Sequence, residues 1–358
     1  MKPTIVVVAN PFGYGPAGKA IAVAEEFHRR GNTHVLIVGS SFIKEIIPSV
    51  LEFREIDERN EKEIVNFLTT VENPVIFSSQ NRFAIRAAKQ INIPNAFLDG
   101  LSWFWHKIPH DHLLADEIFW MNYPDMLEKA QIVSRAITLV PAVVSVPQPL
   151  NNRKGTLIHL GGCRNPLVEL FPKQYLDLLL RALKESTIDV TITGGADVID
   201  FIRRSGFRGR AESLQHTDFV NALNKSKHFL TTAGQTATLE AFALGVPTSF
   251  LPPMNLSQLA LTDLLSPSGA ASQQLQWSNY DSDYGSIRTL TEKEALPAFA
   301  SYAEALATDP EKLTHYTNDL SRILQTLPDR ERQQSFIRQM GVDGQRIIVD
   351  HLIDVWDL

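Results

Sequence analysis

Between residues 99 and 112 the sequence reads DGLSWFWHKIPHDH, which gathers three histidines (His106, His110, His112) and two carboxylates (Asp99, Asp111) within fourteen residues. Histidine titrates nearest neutrality and a carboxylate beside it can orient the ring, so a general base can be drawn from this set. Asp99 ends the apolar run NAFLD and is the first candidate, because α/β sheets bind ligands beyond the carboxyl ends of their strands. His106 is the second, with Asp111 able to orient a histidine. The interleaved Trp103, Phe104 and Trp105 offer an aromatic wall for a sugar or base, although such clusters more often belong to a core.

Two glycine-bearing stretches suit phosphate chemistry. In NPFGYGPAGKA, Gly13, Gly15 and Gly18 follow the β-branched run IVVV with G-x-G-x-x-G spacing and lead into an amphipathic pattern. A dinucleotide site also wants a carboxylate at the end of the second strand, and THVLIVGSS ends in Gly39, Ser40 and Ser41. The missing carboxylate argues against a dinucleotide and leaves the task of the loop, with Gly13, Tyr14, Gly15 and Lys19, open; Lys19 either steers an anion or sits on the surface. In TTAGQTATLEAFALGVPTSFLPPMNLSQ, Gly234, Gln235 and Thr236 open a helix, where free N–H groups and the macrodipole favour a diphosphate. Glu240, one turn further in, could accept two hydrogen bonds from a ribose diol, and Asn255 and Gln258 could reach donor-sugar hydroxyls. Gly161 and Gly162, after TLIHL, permit close backbone approach to the same phosphates, and Arg164 is placed to pair with them. The structural alternatives are a turn at Gly234, a cap at Gly245, a solvated Glu240 and a surface Arg164.

The elements that must position these residues alternate regularly. Strand-like runs PTIVVVA, THVLIVG, NPVIFSS and NAFLDG are separated by helical patterns at 17–30, 61–70 and 82–90. Residues 137–155, with Pro141, Pro147 and Pro149 and a polar run, read as a linker. The alternation then restarts with TLIHLGG, DVTITGG, HFLTTAG and PTSFLPP. This predicts an α/β chain of two tandem Rossmann-like, doubly wound domains facing a cleft. The expected division is a first domain at 1–149, completed by a C-terminal helix within 340–358, and a second domain at 150–339.

Composition bounds the function. A net charge of -6 offers no basic stripe for nucleic acid, and the single Cys163 excludes an intramolecular disulfide or a cysteine-based zinc site. MKPTIVVVANPF is interrupted by Asn10 and Pro11 before it can form a signal segment, and no apolar run reaches the ~20 residues of a membrane span. The expectation is a cytoplasmic protein that binds small molecules, without membrane span, metal or cofactor, and free to form a homodimer.

The run from Thr231 to Gln258 resembles the donor-binding half of GT-B nucleotide-sugar glycosyltransferases, particularly the MurG-type group: strand, small-residue turn, helix with glutamate, G-x-P, strand ending in proline, then glutamine. The first loop with AGKAIAVAEEFHRRG is similar to that group's N-terminal glycine loop and helix, which implies that Gly13, Tyr14, Gly15 and Lys19 form an acceptor-side loop, and the length and LDGLSWFW suggest cytosylglucuronic acid synthases as relatives. The resemblance implies metal-independent transfer from a nucleoside-diphosphate sugar, UDP-linked by preference, to a small hydrophilic acceptor, with 1–149 as the acceptor-side domain and 150–339 as the nucleotide-sugar domain. It places the base beside SLQHTDF, where Leu214 and Phe219 could pack against it; Phe219 also fits a core residue at helical spacing with Leu223. The family's histidine after the first loop corresponds here to Pro16, so the base must come from elsewhere or be absent. A sugar-nucleotide hydrolase or 2-epimerase, and a non-catalytic binding subunit, are the alternatives at this stage.

Overall fold

β-Branched runs with helical stretches between them leave the chain little choice but parallel strands joined by crossover helices. The computed structural model describes residues 2–31, 33–163, 171–184 and 188–358, apart from the side chains at 282 and 283. The chain divides into two compact units, 1–145 with 337–358, and 146–336.

The first unit runs β1 (Thr4–Ala9), α1 (Gly15–Arg30), β2 (His34–Gly39), α2 (Ser41–Lys44), β3 (Glu52–Glu55), α3 (Glu61–Leu68), β4 (Pro74–Ser79), α4 (Arg82–Gln90), β5 (Asn95–Asp99), β6 (Glu117–Met121), α5 (Met126–Gln131) and β7 (Thr138–Val140). Its seven strands are all parallel, in the order β3-β2-β1-β4-β5-β6-β7. Every residue of β1 is buried, which is why TIVVVA is continuously apolar rather than alternating. The order reverses between β1 and β4, so the loops after these strands flank the crevice where such sheets hold ligands. Helix α1 carries Pro16 in its first turn, where a missing N–H costs nothing, and ends on Gly31 at φ 73° after His28, Arg29 and Arg30.

The second unit runs β8 (Thr156–His159), α6 (Lys173–Lys184), β9 (Val190–Thr193), α7 (Ala196–Arg204), β10 (Arg210–Glu212), α8 (His216–Lys225), β11 (His228–Thr231), α9 (Gln235–Leu244), β12 (Thr248–Phe250), α10 (Leu256–Leu265), α11 (Glu292–Thr308) and α12 (Pro310–Gln325). Its five parallel strands take the order β10-β9-β8-β11-β12, with the reversal between β8 and β11. The outer strand β12 is closed by a side chain: Gln333 accepts from the Thr248 N–H at 3.0 Å and donates to the Thr248 carbonyl at 2.6 Å. Gln333 belongs to α13 (Arg330–Met340), and α14 (Gly344–Trp356) then packs on the first unit, where Arg30 pairs with Asp350 and His351 with Glu117. Among the described residues no helix is long and apolar enough to cross a membrane.

The linker read from the prolines starts too early. Residues 138–140 form β7, Ala142 to Val144 are buried, and the division falls after Ser145. Strands β6 and β10 are additions to the sequence reading; EIFWM follows a loop rich in polar residues, and β10 has only three residues at a sheet edge.

The start of α14 is closely packed against the segment after β7. A Cβ on Gly344 would lie 2.3 Å from the Pro141 carbonyl oxygen and 2.8 Å from Val143 Cγ2. Backbone cannot swing aside as a side-chain tip can, so Gly344→Ala is expected to destabilise the protein by about 1–3 kcal/mol through overpacking, read as a lower urea midpoint at unchanged slope.

Candidate functional site

In the first unit the chemistry collects at the end of β5. Asp99 is fully buried; its Oδ1 accepts the Leu101 N–H at 2.9 Å and its Oδ2 lies 2.7 Å from His112 Nδ1. His112 sits on a short 3-10 turn, His110–Leu113, with its ring held between Phe97 at 5.1 Å and Trp105 at 5.7 Å between centroids. A carboxylate at Nδ1 fixes that nitrogen as the N–H and leaves Nε2 the basic position. Among the described residues Nε2 has no hydrogen-bond partner, and the histidine keeps 8% exposure. The turn is anchored from outside: Arg86 on α4 binds Asp111 at 2.7 Å and Glu61 at 2.6 Å. Asp111 therefore serves Arg86 and, among the described residues, orients no histidine, contrary to the expectation from its place in the sequence. Lys129 on α5 secures the aromatic segment, donating to the carbonyls of Ser102 (2.5 Å) and Trp105, and burial lowers its pKa.

The loop after β1 is equally constrained. Tyr14 stacks on Phe42 at 4.9 Å and donates to Glu45 at 2.5 Å, so it braces the loop from within the unit. Lys19 is only 1% exposed, which removes the surface-lysine alternative; its side-chain end lies over Gly100, where a Cβ would come within 2.7 Å of Cε and 2.9 Å of Gln80 Oε1. Asn81 ties the strand ends together by donating to the carbonyls of Ala9 and Glu58 at 3.1 and 2.9 Å. Glu58, from the loop after β3, brings a buried carboxylate to the end of β2, where Ser40 donates to it at 2.9 Å and burial raises its pKa.

In the second unit the strand ends of β8 and β11 carry the corresponding features. Gly234 caps α9 and the helix starts at Gln235, so the positive pole of the helix lies at the end of β11. Eight of the ten α9 residues are buried, and Glu240 among them is 1% exposed with Oε1 2.7 Å from His216 Nε2. After β8 the chain turns through Gly161 at φ 65° and Cys163 at φ 50°, with Cys163 Sγ donating to the Leu160 carbonyl at 2.8 Å. Burial pushes the Cys163 thiol up to about 12. His159, at the end of β8, packs its ring tilted against Phe219 at 4.2 Å between centroids; burial first, and neighbouring His216 second, bring its imidazole down to about 3 and keep it neutral. Beyond β12 the loop is fixed by Tyr175, which donates to the Pro252 carbonyl at 2.9 Å, and Trp277, which donates to Pro253 at 2.7 Å. Asn255 and Gln258 cap α10: Asn255 Oδ1 accepts the Gln258 N–H at 2.9 Å and Gln258 Oε1 accepts the Met254 N–H at 2.7 Å.

No protein-family model matches this sequence, and neither does any curated protein. Solved structures do. MurG of Acinetobacter baumannii is 14% identical with a TM-score of 0.52, over 99% of this chain and 100% of its own. UGT89C1 of Arabidopsis thaliana, solved with UDP, is 13% identical with a TM-score of 0.58, over 100% of both chains. UGT2 of Phytolacca americana, solved with UDP-2fluoro-glucose and pterostilbene, is 14% identical with a TM-score of 0.55, over 99% of this chain and 100% of its own. The chain has the GT-B fold.

Within this GT-B chain the structure sorts the residues that the sequence singled out. Asp99 meets His112, whereas His106 and His110 are exposed. Gly234, Gln235, Thr236 and Glu240 share one helix start, while Gly161 and Gly162 follow β8, the strand paired to β11. Phe219, 6% exposed, packs with Leu157, Leu223 and partly buried Leu214 as a core cluster. Arg164 lies outside the described residues. His216, His159 and Glu58 were missed; each meets its partner only through the tertiary fold, and a sequence separation of 24 hides the pair His216 and Glu240 from any local pattern.

Proposed function

We propose that this protein is a glycosyltransferase that moves a sugar from a nucleoside-diphosphate donor, UDP-linked by preference, to a hydroxyl of a small hydrophilic acceptor. The observation that carries the reading is the 2.7 Å contact between buried Asp99 and His112 at the end of β5. His112 Nε2 takes the proton of the acceptor hydroxyl as its oxygen bonds to the anomeric carbon, and Asp99 stabilises the imidazolium that forms. The bond from the anomeric carbon to the phosphate oxygen breaks and its electron pair leaves with the nucleoside diphosphate. The positive pole at the start of α9, with the side chains of Gln235 and Thr236, receives that growing negative charge. His112 then returns its proton to solvent.

On this reading Asn255 and Gln258 present their amide nitrogens to donor-sugar hydroxyls, since their oxygens are engaged in capping α10. Gly161 and Gly162 admit the diphosphate, and Lys19 and Gly13 to Gly15 border the acceptor. The UDP complexes among the structural neighbours support the choice of nucleotide. The test is nucleotide release from a panel of UDP-sugars with and without polyhydroxylated acceptors. Release that requires an acceptor, with a matching glycoside product, is expected; release at the same rate without acceptor makes the protein a hydrolase.

A further inference from the structure

The pairing of His216 with Glu240 joins the first residue of α8 to the middle of α9, and both side chains are more than nine-tenths buried. A carboxylate this deep needs compensation, and one of its two oxygens has it in His216 Nε2 at 2.7 Å. The other oxygen, Oε2, has no hydrogen-bond partner among the described residues. Glu240 lies five residues into α9, about 7.5 Å along the axis from the helix start, and helical side chains lean toward the N-terminus, which shortens the reach. A buried acceptor at that distance from a diphosphate-binding helix start suits a hydroxyl of the ribose on the same nucleotide.

We propose that His216 is a positioning residue for sugar recognition in the nucleotide: by holding Oε1 of Glu240 it fixes Oε2 as a single oriented acceptor for a ribose hydroxyl. This rests on the reading of the second unit as the donor site. It refines the expectation that Glu240 receives both hydroxyls of the diol, since one of its oxygens is engaged by protein. The protein then separates ribonucleotides from deoxyribonucleotides through a histidine that need not touch the ligand. Truncating His216 lets the carboxylate rotate and solvate, so affinity for the ribose form falls while affinity for a form lacking the hydroxyl does not.

The experiment is calorimetric titration of the full chain with UDP, 2′-deoxy-UDP and 3′-deoxy-UDP, for wild type, His216→Ala and His216→Gln. Wild type is expected to bind at least one deoxy form about tenfold more weakly than UDP. In His216→Ala that ratio should fall below about threefold through loss of UDP affinity alone, and His216→Gln, which keeps a donor near the carboxylate, should restore much of it. A general packing defect would weaken all three ligands together and leave the ratio intact, which overturns the proposal while keeping the donor site. If the alanine variant does not fold, an unchanged ratio in His216→Gln and in His216→Asn, whose shorter amide falls away from the carboxylate, overturns it equally. Absence of binding by wild type removes the donor reading and this proposal with it.

Discussion

Replacing His112 by alanine is expected to lower kcat of transfer by about 10³, within the range that a positioned general base contributes, while leaving UDP affinity within about twofold. The expectation follows from orientation. Asp99 Oδ2 holds Nδ1, the rings of Phe97 and Trp105 fix the plane, and Arg86 anchors the turn through Asp111. Asp99→Asn keeps the shape but presents an amide to Nδ1, which favours the wrong tautomer, and should cost about 10²–10⁴ in kcat. His106→Ala is the control: its side chain is exposed, and the variant should stay within about threefold of wild type. Steady-state kinetics on the three variants decides the matter. Near-normal turnover by His112→Ala, or a collapse confined to His106→Ala, would move the base elsewhere.

Arg153 should contribute strongly to the stability of the second unit. Its guanidinium donates to the Asn224 carbonyl at 3.0 Å, the Gly245 carbonyl at 2.7 Å, the Leu244 carbonyl at 2.5 Å and Asn224 Oδ1 at 3.3 Å. Those carbonyls end α8 and α9, where the negative pole of each helix and its unsatisfied acceptors favour a cation. Arg153→Ala leaves them half-buried and unpaired, and a loss of about 3–5 kcal/mol is expected from several charge-assisted bonds removed at once. Lysine keeps the charge without the planar fork, so Arg153→Lys should recover less than half. Urea unfolding of the two variants measures it; a loss below about 1 kcal/mol for alanine would mean that solvent replaces the arginine.

These two residues show what was legible in the sequence and what was not. The double α/β architecture was open to reading because its strands are buried on both faces and announce themselves as apolar runs, and helix starts and stops carry their own chemistry at Pro16, Gly31, Gly234 and Gly245. Arg153 looked like one polar residue of NNRKG, because its partners lie 71 and 92 residues away at two helix ends. The histidine-rich loop was visible as chemistry, but the choice among three rings depends on which of them the 3-10 turn swings back to Asp99. Lys19 and Gly100 could not be joined without the fold, since only the neighbouring ends of the sheet bring them together. The prolines at 141, 147 and 149 hid β7 inside the expected linker, because that strand is three residues long and ends just before the first of them.

The most direct measurement of the central claim is a ligand panel of UDP, CDP, TDP, GDP and NAD titrated into the purified protein while thermal unfolding is followed. At 100 times its dissociation constant a ligand that binds only the folded state stabilises it by about 2.7 kcal/mol, a shift of several degrees at most for a chain of this size and readily measured. The account predicts that UDP, or another pyrimidine diphosphate, raises the transition and NAD does not. A shift with NAD alone would contradict it, returning the glycine loop after β1 to a dinucleotide and the buried Glu58 at the end of β2 to its ribose.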